Sequence, residues 1–271
     1  MADTTHDPVL LLQHDMEHPE SIALPVGRVA IFTRKKPGRE GPNEDAAGLI
    51  PLDGEHVVLV VADGLGGAPA GATASGIAVE TLRDSVGACR ENGGELRDAI
   101  LNGVESANER ITSLATGTAT TLAAVAVEQD TVRTIHVGDS AILVVGQRGK
   151  VKLETVRHSP VGYAVEAGLL AEQEAMLHEE RHFVTNTVGQ PDMRIEMGST
   201  LRLARRDTVV VGSDGLFDNL YREEIVERVR KGPLDRAAAR LARDCLARME
   251  QADPEIPHKK DDLTFILYRP G

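Results

Sequence analysis

Hydrophobic positions along this chain form two kinds of pattern. Short runs rich in Val, Ile and Leu, each bounded by turn residues, predict β-strands. These runs are residues 57–62, 122–127, 132–137, 141–145, 208–212 and 263–268. Longer stretches repeat apolar residues at intervals of three and four, which is typical of helices, over 70–90, 96–114 and 234–249. Several strands follow one another with no helix between them, which favours antiparallel pairing in an α+β fold.

The domain organisation predicted from the sequence is simple. Residues 1–24 are polar and contain histidines, so we expect a loosely held N-terminal segment. Residues 25–271 contain no low-complexity tract, repeat or Pro/Ser-rich linker, which indicates one domain. The chain opens without a signal-peptide pattern, and its longest apolar run is far too short to cross a bilayer. These features predict a cytoplasmic protein with no membrane partner.

Charge and composition exclude several functions. The formal net charge is −12, from 42 acidic and 30 basic residues, and such a field repels nucleic-acid backbones. Aromatic residues are 3% of the chain, with no Trp, which also disfavours a stacking surface for single strands. Cys89 and Cys245 match no metal or redox spacing, so we expect two reduced residues in the core.

Aspartates at the ends of predicted strands are the strongest chemical signal. Asp63, Asp139 and Asp214 each follow a strand, and Asp261 precedes one. An unpaired carboxylate is costly inside a buried strand but is tolerated at its end, so the four groups could converge at one edge. Carboxylate oxygens without cysteine favour Mg²⁺ or Mn²⁺. Two such ions bridged by one Asp would suit attack of an activated water on a phosphoryl group.

The same Asp-Gly pairs also have a purely structural interpretation, since Asp-Gly is a strong β-hairpin signal. Asp53-Gly54 looks like a plain turn between two strands. Asp63-Gly64 instead continues through a glycine-rich loop into a predicted helix, and Asp214-Gly215 continues as LFDNL. For these two pairs, the residues alone leave both interpretations open.

A competing motif lies at residues 178–182, where HEERH matches the H-E-x-x-H pattern of zinc proteases. No third histidine follows at the extended spacing of that class. Glu172 and Glu174 precede the motif, which indicates a solvated surface. A zinc protease is therefore the less supported alternative.

Six motifs in order resemble those of the metal-dependent protein phosphatase family, the type 2C serine/threonine phosphatases, and together they indicate a bacterial-like single-domain member. The resemblance covers roughly Arg28 to Tyr268, and although each motif is weak alone, six in sequence are specific. The motifs are Asn43-Glu44-Asp45-Ala46, Asp63-Gly64-Leu65-Gly66-Gly67, Gly117-Thr118 with Thr120-Thr121, Gly138-Asp139-Ser140, Ser213-Asp214-Gly215-Leu216-Phe217-Asp218 and Asp261-Asp262-Leu263-Thr264. The resemblance implies a four-layer sandwich of two antiparallel β-sheets flanked by helices.

The resemblance also implies a set of metal ligands. Asp63 would bridge two Mn²⁺ or Mg²⁺ ions, and the Gly64 carbonyl would bind one of them. Asp214 and Asp261 would complete the protein ligands of the first ion. Asp139 would bind a weaker third ion.

Three further residues receive roles from the resemblance. Glu44 and Asp45 would hold metal-bound waters. Arg39 would bind the phosphate, although it lies five residues before Glu44, where the family usually has four, and Glu40 takes the expected position. The basic residues that could replace it are Arg34, Lys35 and Lys36.

The implied activity is hydrolysis of phosphoserine and phosphothreonine on proteins by a water that two metal ions activate. The partner would be a phosphorylated protein, with an opposing serine/threonine kinase. Residues 158–189, the flap region, would lie beside the active site and contribute to substrate choice. A catalytically silent regulatory or sensor module on the same fold is the alternative, but the complete set of acidic residues favours the enzyme.

Overall fold

A computed structural model describes residues 7–67, 70–250, 253 and 256–271. The strands in these ranges are β1 (Val9–Leu12), β2 (Glu20–Leu24), β3 (Gly27–Arg34), β4 (Asp45–Pro51), β5 (His56–Leu65), β6 (Ala119–Thr120), β7 (Leu122–Glu128), β8 (Thr131–Val137), β9 (Ala141–Val145), β10 (Val151–Glu154), β11 (Glu196–Met197), β12 (Leu201–Arg202), β13 (Thr208–Gly212) and β14 (Leu263–Pro270). The helices are α1 (Ala70–Asn92), α2 (Leu96–Thr112), α3 (Pro160–Glu166), α4 (Glu172–Ala175), α5 (Asp214–Phe217), α6 (Arg222–Val229) and α7 (Leu234–Glu250), with a 3₁₀ helix at Glu179–His182.

The strands form two antiparallel sheets. The first has the order β1-β4-β5-β7-β8-β11, with β6 paired to β5 and β12 paired to β8. The second has the order β10-β9-β13-β14-β3-β2. Every pairing between these strands is antiparallel, which confirms the prediction from the closely spaced strand patterns.

The two faces of β5 show how the layers are built. Side chains alternate between the faces of a strand. Leu59 and Val61 join the hydrophobic core between the two sheets, whereas Val58 and Val60 join a second core under α1 and α2. Leu241 of α7 packs on the other side of the second sheet. The order is therefore helices, sheet, sheet, helices, which confirms the predicted four-layer α+β sandwich.

The expectation of a loosely held N-terminal segment is wrong for residues 9–24. β1 pairs with β4 in the first sheet, and β2 pairs with β3 in the second. Leu11 and Leu24 are buried, so this segment adds an outer strand and core contacts to each sheet. Residues 1–6 lie outside the described residues, and the division of the chain after residue 24 stays a prediction.

Cys89 and Cys245 are both buried and unpaired, as predicted. No helix in the described part of the chain combines the length and the hydrophobicity that spanning a bilayer requires.

Candidate metal centre

The sheet register brings the predicted acidic residues to one edge of the sandwich. Asp45 begins β4 and lies directly opposite Asp63 on β5. Gly212, near the end of β13, is paired with Phe265 near the start of β14, so Asp214 and Asp261 flank neighbouring strand ends.

Asp139 reaches the same edge through a short chain of hydrogen bonds. The Thr121 backbone N donates to the Asp63 carbonyl at 2.8 Å. The hydroxyls of Thr121 and Ser140 lie 2.7 Å apart, and Ser140 is the residue after Asp139. The four strand-end aspartates of the sequence prediction therefore belong to one edge of the fold.

Glycines beside two of these aspartates are required by close packing. A Cβ on Gly64 would lie 2.2 Å from the Gly71 carbonyl oxygen, and a Cβ on Gly215 would lie 1.9 Å from the Asp262 carbonyl oxygen. Asp63-Gly64 lies within β5, and Asp214-Gly215 begins α5, so neither pair forms a hairpin turn. These glycines allow the backbone segments that carry the acids to approach one another.

Several carboxylate oxygens at this edge are buried without a hydrogen-bond partner. In the described ranges, buried side-chain oxygens that lack a partner include Glu44 Oε1, Asp45 Oδ1, Asp139 Oδ1, Asp214 Oδ1 and Asp218 Oδ2. An unpaired buried carboxylate is strongly unfavourable unless a cation or proton compensates it. Because the donors are all hard oxygens, this cluster fits a divalent ion such as Mg²⁺ or Mn²⁺.

The pKa values of the clustered carboxyl groups also indicate that the site needs a cation. Burial, and then the charge of Asp262, raises the pKa of Asp45 well above its ordinary value. Burial, and then the charges of Asp45 and Asp214, does the same to the pKa of Asp63. Burial, followed by Asp214 and Asp218, raises the pKa of Asp139 to about 7. The carboxylates are therefore too crowded to ionise together without added positive charge.

Arg39 lies at this edge but is held by two carboxylates. Its guanidinium forms a close ion pair with Glu44, and its Nη1 lies 2.6 Å from Asp262 Oδ2. Asp262 also accepts hydrogen bonds from the backbone N of Lys36 at 2.6 Å and of Glu44 at 2.8 Å. Asp262 therefore fixes the loop that carries Arg39, a role that sequence reasoning did not assign to it.

Lys259 is the residue of this site that sequence reasoning missed. Its Nζ forms a close ion pair with Asp214 and lies 3.0 Å from Asp261 Oδ2 and 3.6 Å from Asp218 Oδ2. In the sequence it stands in a short polar stretch, PHKK, that looks like a solvated loop. Only the packing of this loop against α5 reveals the contact.

The zinc-protease motif does not form a metal-binding helix. Residues Glu179–His182 form a 3₁₀ helix, and His178 precedes it. The Nδ1 atom of His178 accepts a hydrogen bond from the Glu180 backbone N at 3.1 Å, and His182 is exposed. The i, i+4 arrangement on an α-helix that the motif requires is therefore not present at 178–182.

His136, His158 and Glu196 form another group with potential metal-binding atoms, all within 4.8 Å of one another. His136 Nε2 donates to the Val156 carbonyl at 2.9 Å. The Gly138 N–H donates to His158 Nδ1 at 3.0 Å, so His158 Nε2 carries the proton and donates to Glu196 at 3.0 Å. These polar atoms are thus used in hydrogen bonds, and His158, the first residue of the flap region, joins that region to the Gly138-Asp139 turn.

Comparison with known proteins identifies the class. The family model described as "Protein phosphatase 2C" matches residues 35–253. A putative 2C-type protein phosphatase from Streptococcus pyogenes is 34% identical over 180 residues, covering 62% of this chain and 71% of the relative. The chain therefore belongs to the protein phosphatase 2C family.

Solved structures agree with this assignment. The serine/threonine phosphatase Stp1 from Staphylococcus aureus is 25% identical, with a TM-score of 0.77, and the match covers 94% of this chain and 100% of that one. The Ser-Thr phosphatase MsPP from Mycobacterium smegmatis, solved in complex with cacodylate, is 28% identical with a TM-score of 0.75, over 91% of this chain and 99% of that one. The chain is accordingly a protein phosphatase of this family.

Proposed function

We propose that the carboxylates at this edge hold two divalent ions, Mn²⁺ or Mg²⁺, and that this centre hydrolyses phosphoserine and phosphothreonine on proteins. The observation that carries the proposal is the set of five buried carboxylate oxygens without a hydrogen-bond partner. When bound, such ions supply an activated water for attack on phosphorus and neutralise charge on the phosphoryl oxygens.

Different residues would hold the different ions. Asp63 would contribute to binding both ions, and Asp214 and Asp261 would hold the first. The Gly64 carbonyl would be a further ligand, and a Cβ on Gly71 would come within 2.8 Å of that oxygen, so glycine there keeps the space open. Asp139 would hold a weaker third ion.

Glu44 and Asp45 would accept hydrogen bonds from waters at the metal centre. The Ser213 hydroxyl donates to Asp45 Oδ2 at 2.8 Å, which leaves Asp45 Oδ1 free to accept from a water. Glu44 Oε1 is likewise without a partner, while its other oxygen is held by Arg39. One oxygen of each side chain therefore fixes its orientation, and the other is available to a water.

Arg39 binds the phosphate of the substrate. The two carboxylates that contact it, Glu44 and Asp262, fix the orientation of its guanidinium at the edge of the cluster. The guanidinium has five N–H donors in a planar fork, so it can contact these carboxylates and phosphoryl oxygens together.

The flap region supplies contacts for the protein part of the substrate. In the described ranges, four of the five strongly exposed large hydrophobic side chains lie within residues 158–189: Tyr163, Leu169, Leu177 and Phe183. An exposed apolar surface of this kind is suited to binding another protein.

The enzyme acts in cytoplasmic signalling, where it opposes a serine/threonine kinase.

The test is phosphate release from a phosphothreonine peptide, first with EDTA and then with Mn²⁺, for wild type and Asp214→Ala. We expect activity only with Mn²⁺ and its collapse in the variant. Asp98→Ala, which removes an exposed carboxylate from α2, is the matched control and should behave as wild type. A folded wild-type protein with no turnover under any divalent ion would contradict the proposal and favour the silent regulatory module.

A further inference from the structure

Lys259 brings a positive charge into the carboxylate cluster from a loop outside the six motifs. Its Nζ contacts Asp214 and Asp261, two of the proposed ligands of the first ion, and lies 3.6 Å from Asp218 Oδ2. Only 18% of its side chain is exposed. The ammonium is therefore an internal partner of this cluster rather than a solvated surface charge.

The backbone around Lys259 holds this side chain in place. The buried Asn219 accepts from the Lys259 backbone N at 2.9 Å and donates to the Lys259 carbonyl at 2.9 Å. The same amide donates to the Gly215 carbonyl of α5 at 2.9 Å. Asn219 thus ties the loop of Lys259 to the helix that carries Asp214.

Lys259 meets the carboxylates as a cation. Its Nζ is within ion-pair distance of Asp214, Asp261 and Asp218, so three acidic side chains surround one ammonium group. An ammonium group has three N–H donors and no acceptor, so it can only satisfy oxygens and cannot ligate a metal. Lys259 contacts one oxygen of each carboxylate, Asp214 Oδ2 and Asp261 Oδ2, and so places a positive charge directly against two proposed ligands of the first ion.

We infer that Lys259 competes with the divalent ion. Its ammonium and the first ion cannot bind Asp214 and Asp261 at the same time, so metal binding requires the ammonium to move away. This inference rests on the proposed metal centre. Lys259 thereby weakens metal binding and sets the metal concentration at which the centre fills.

The first test is titration calorimetry of Mn²⁺ binding to wild type, Lys259→Met and Lys260→Met. Methionine keeps most of the length of the side chain and removes its charge, and exposed Lys260 is the adjacent control. We expect Lys259→Met to lower the Kd of the first ion by about tenfold or more, while Lys260→Met leaves it unchanged. An unchanged or higher Kd in Lys259→Met overturns the inference, whereas absence of Mn²⁺ binding by wild type overturns the proposed metal centre itself.

The second test needs no variant. Wild-type protein is acetylated briefly with a lysine-reactive reagent, in EDTA or in Mn²⁺, and modification of each lysine is measured by mass spectrometry. Displacement of Lys259 from its carboxylates predicts more acetylation of Lys259 with Mn²⁺ and no change at Lys260. Equal or lower acetylation of Lys259 with Mn²⁺ would show that the ammonium stays in place, which overturns the inference.

Discussion

Asp45 and Asp63 lie directly opposite each other in the antiparallel pair of β4 and β5. Like charges at such a position destabilise a sheet. Burial, followed by the charge of Asp45, raises the pKa of Asp63, and Asp45 Oδ1 has no hydrogen-bond partner. This pair therefore places two carboxyl groups that repel each other when ionised at the edge of the first sheet, and a bound cation would reduce that repulsion.

Replacing Gly64 with alanine should disrupt this edge. The new Cβ would lie 2.2 Å from the Gly71 carbonyl oxygen and 2.7 Å from the Glu44 carbonyl oxygen, and backbone atoms cannot move away cheaply. We expect a loss of about 2 kcal/mol or more in the free energy of unfolding, measured by urea denaturation.

Gly76→Ala is the matched control for that substitution. Gly76 lies within α1, and a Cβ there would meet nothing within 4 Å. Because alanine favours the helix, this variant should gain about 0.5–1 kcal/mol. Equal effects of the two variants would contradict the packing role of Gly64.

Stability without metal should depend on pH through Asp139. The pKa of this carboxyl is about 7 in the folded protein, because of burial and then of Asp214 and Asp218, against 3.8 ordinarily. The folded state thus binds the proton of Asp139 more tightly than the unfolded state does. The proton therefore stabilises the fold fully below the ordinary pKa of 3.8, and this stabilisation is lost as pH rises towards 7. Asp139 should contribute a fall in the free energy of unfolding of up to about 1.4 kcal/mol per pH unit over this window.

The measurement is urea denaturation in EDTA, from about pH 5 to about pH 8, for wild type and Asp139→Asn. Asparagine does not titrate, so the variant should show a shallower decline than wild type. A decline of the same steepness in both proteins would rule out Asp139 as a source of the pH dependence.

Arg39→Ala should impair substrate binding more than metal binding. If the guanidinium contacts the phosphate, its loss should raise KM for a phosphothreonine peptide by about tenfold or more. The affinity for Mn²⁺, measured by calorimetry, should change much less. Arg34→Ala, which tests one of the alternative phosphate ligands, should leave KM near the wild-type value. An unchanged KM with weakened Mn²⁺ binding would instead restrict Arg39 to positioning Glu44.

His158→Ala should loosen the junction between the flap region and the Gly138-Asp139 turn. The substitution removes the acceptor of the Gly138 N–H and leaves that buried donor unsatisfied. We expect a loss of about 2 kcal/mol in the free energy of unfolding. His182→Ala, at an exposed position, should change stability by less than about 0.5 kcal/mol. Urea denaturation of both variants tests this, and equal stabilities would contradict the role of His158.

Much of the fold could be predicted because apolar runs mark buried strands. β9 and β13 have the bounds that the sequence predicts, and the three predicted helices are present as α1, α2 and α7. β4 was not predicted, since its sequence DAAGLIP contains residues that disfavour strands. Gly48 is one of these residues, and tertiary packing requires it, because a Cβ there would lie 2.8 Å from Val60 Cγ1.

Sequence reasoning predicted the site residues that lie in a recognisable motif and missed Lys259, which lies outside them. Ordered Asp-containing motifs indicated Asp63, Asp139, Asp214 and Asp261, but no local pattern distinguishes Lys259 from a solvated lysine. Its role depends on an ion pair with a residue 45 positions away, which only the packed structure provides. Long-range pairs between ordinary residues of this kind cannot be read from one sequence.

The most direct test of the account is to count the Mn²⁺ ions bound per chain, by equilibrium dialysis, in wild type and Asp63→Asn. Asparagine keeps the shape of the bridging side chain but removes its charge. A two-ion centre bridged by Asp63 should bind about two ions per wild-type chain and fewer than about one in the variant. Less than one ion bound to wild type, or equal binding by both proteins, would contradict the claim that these strand-end carboxylates form a metal centre.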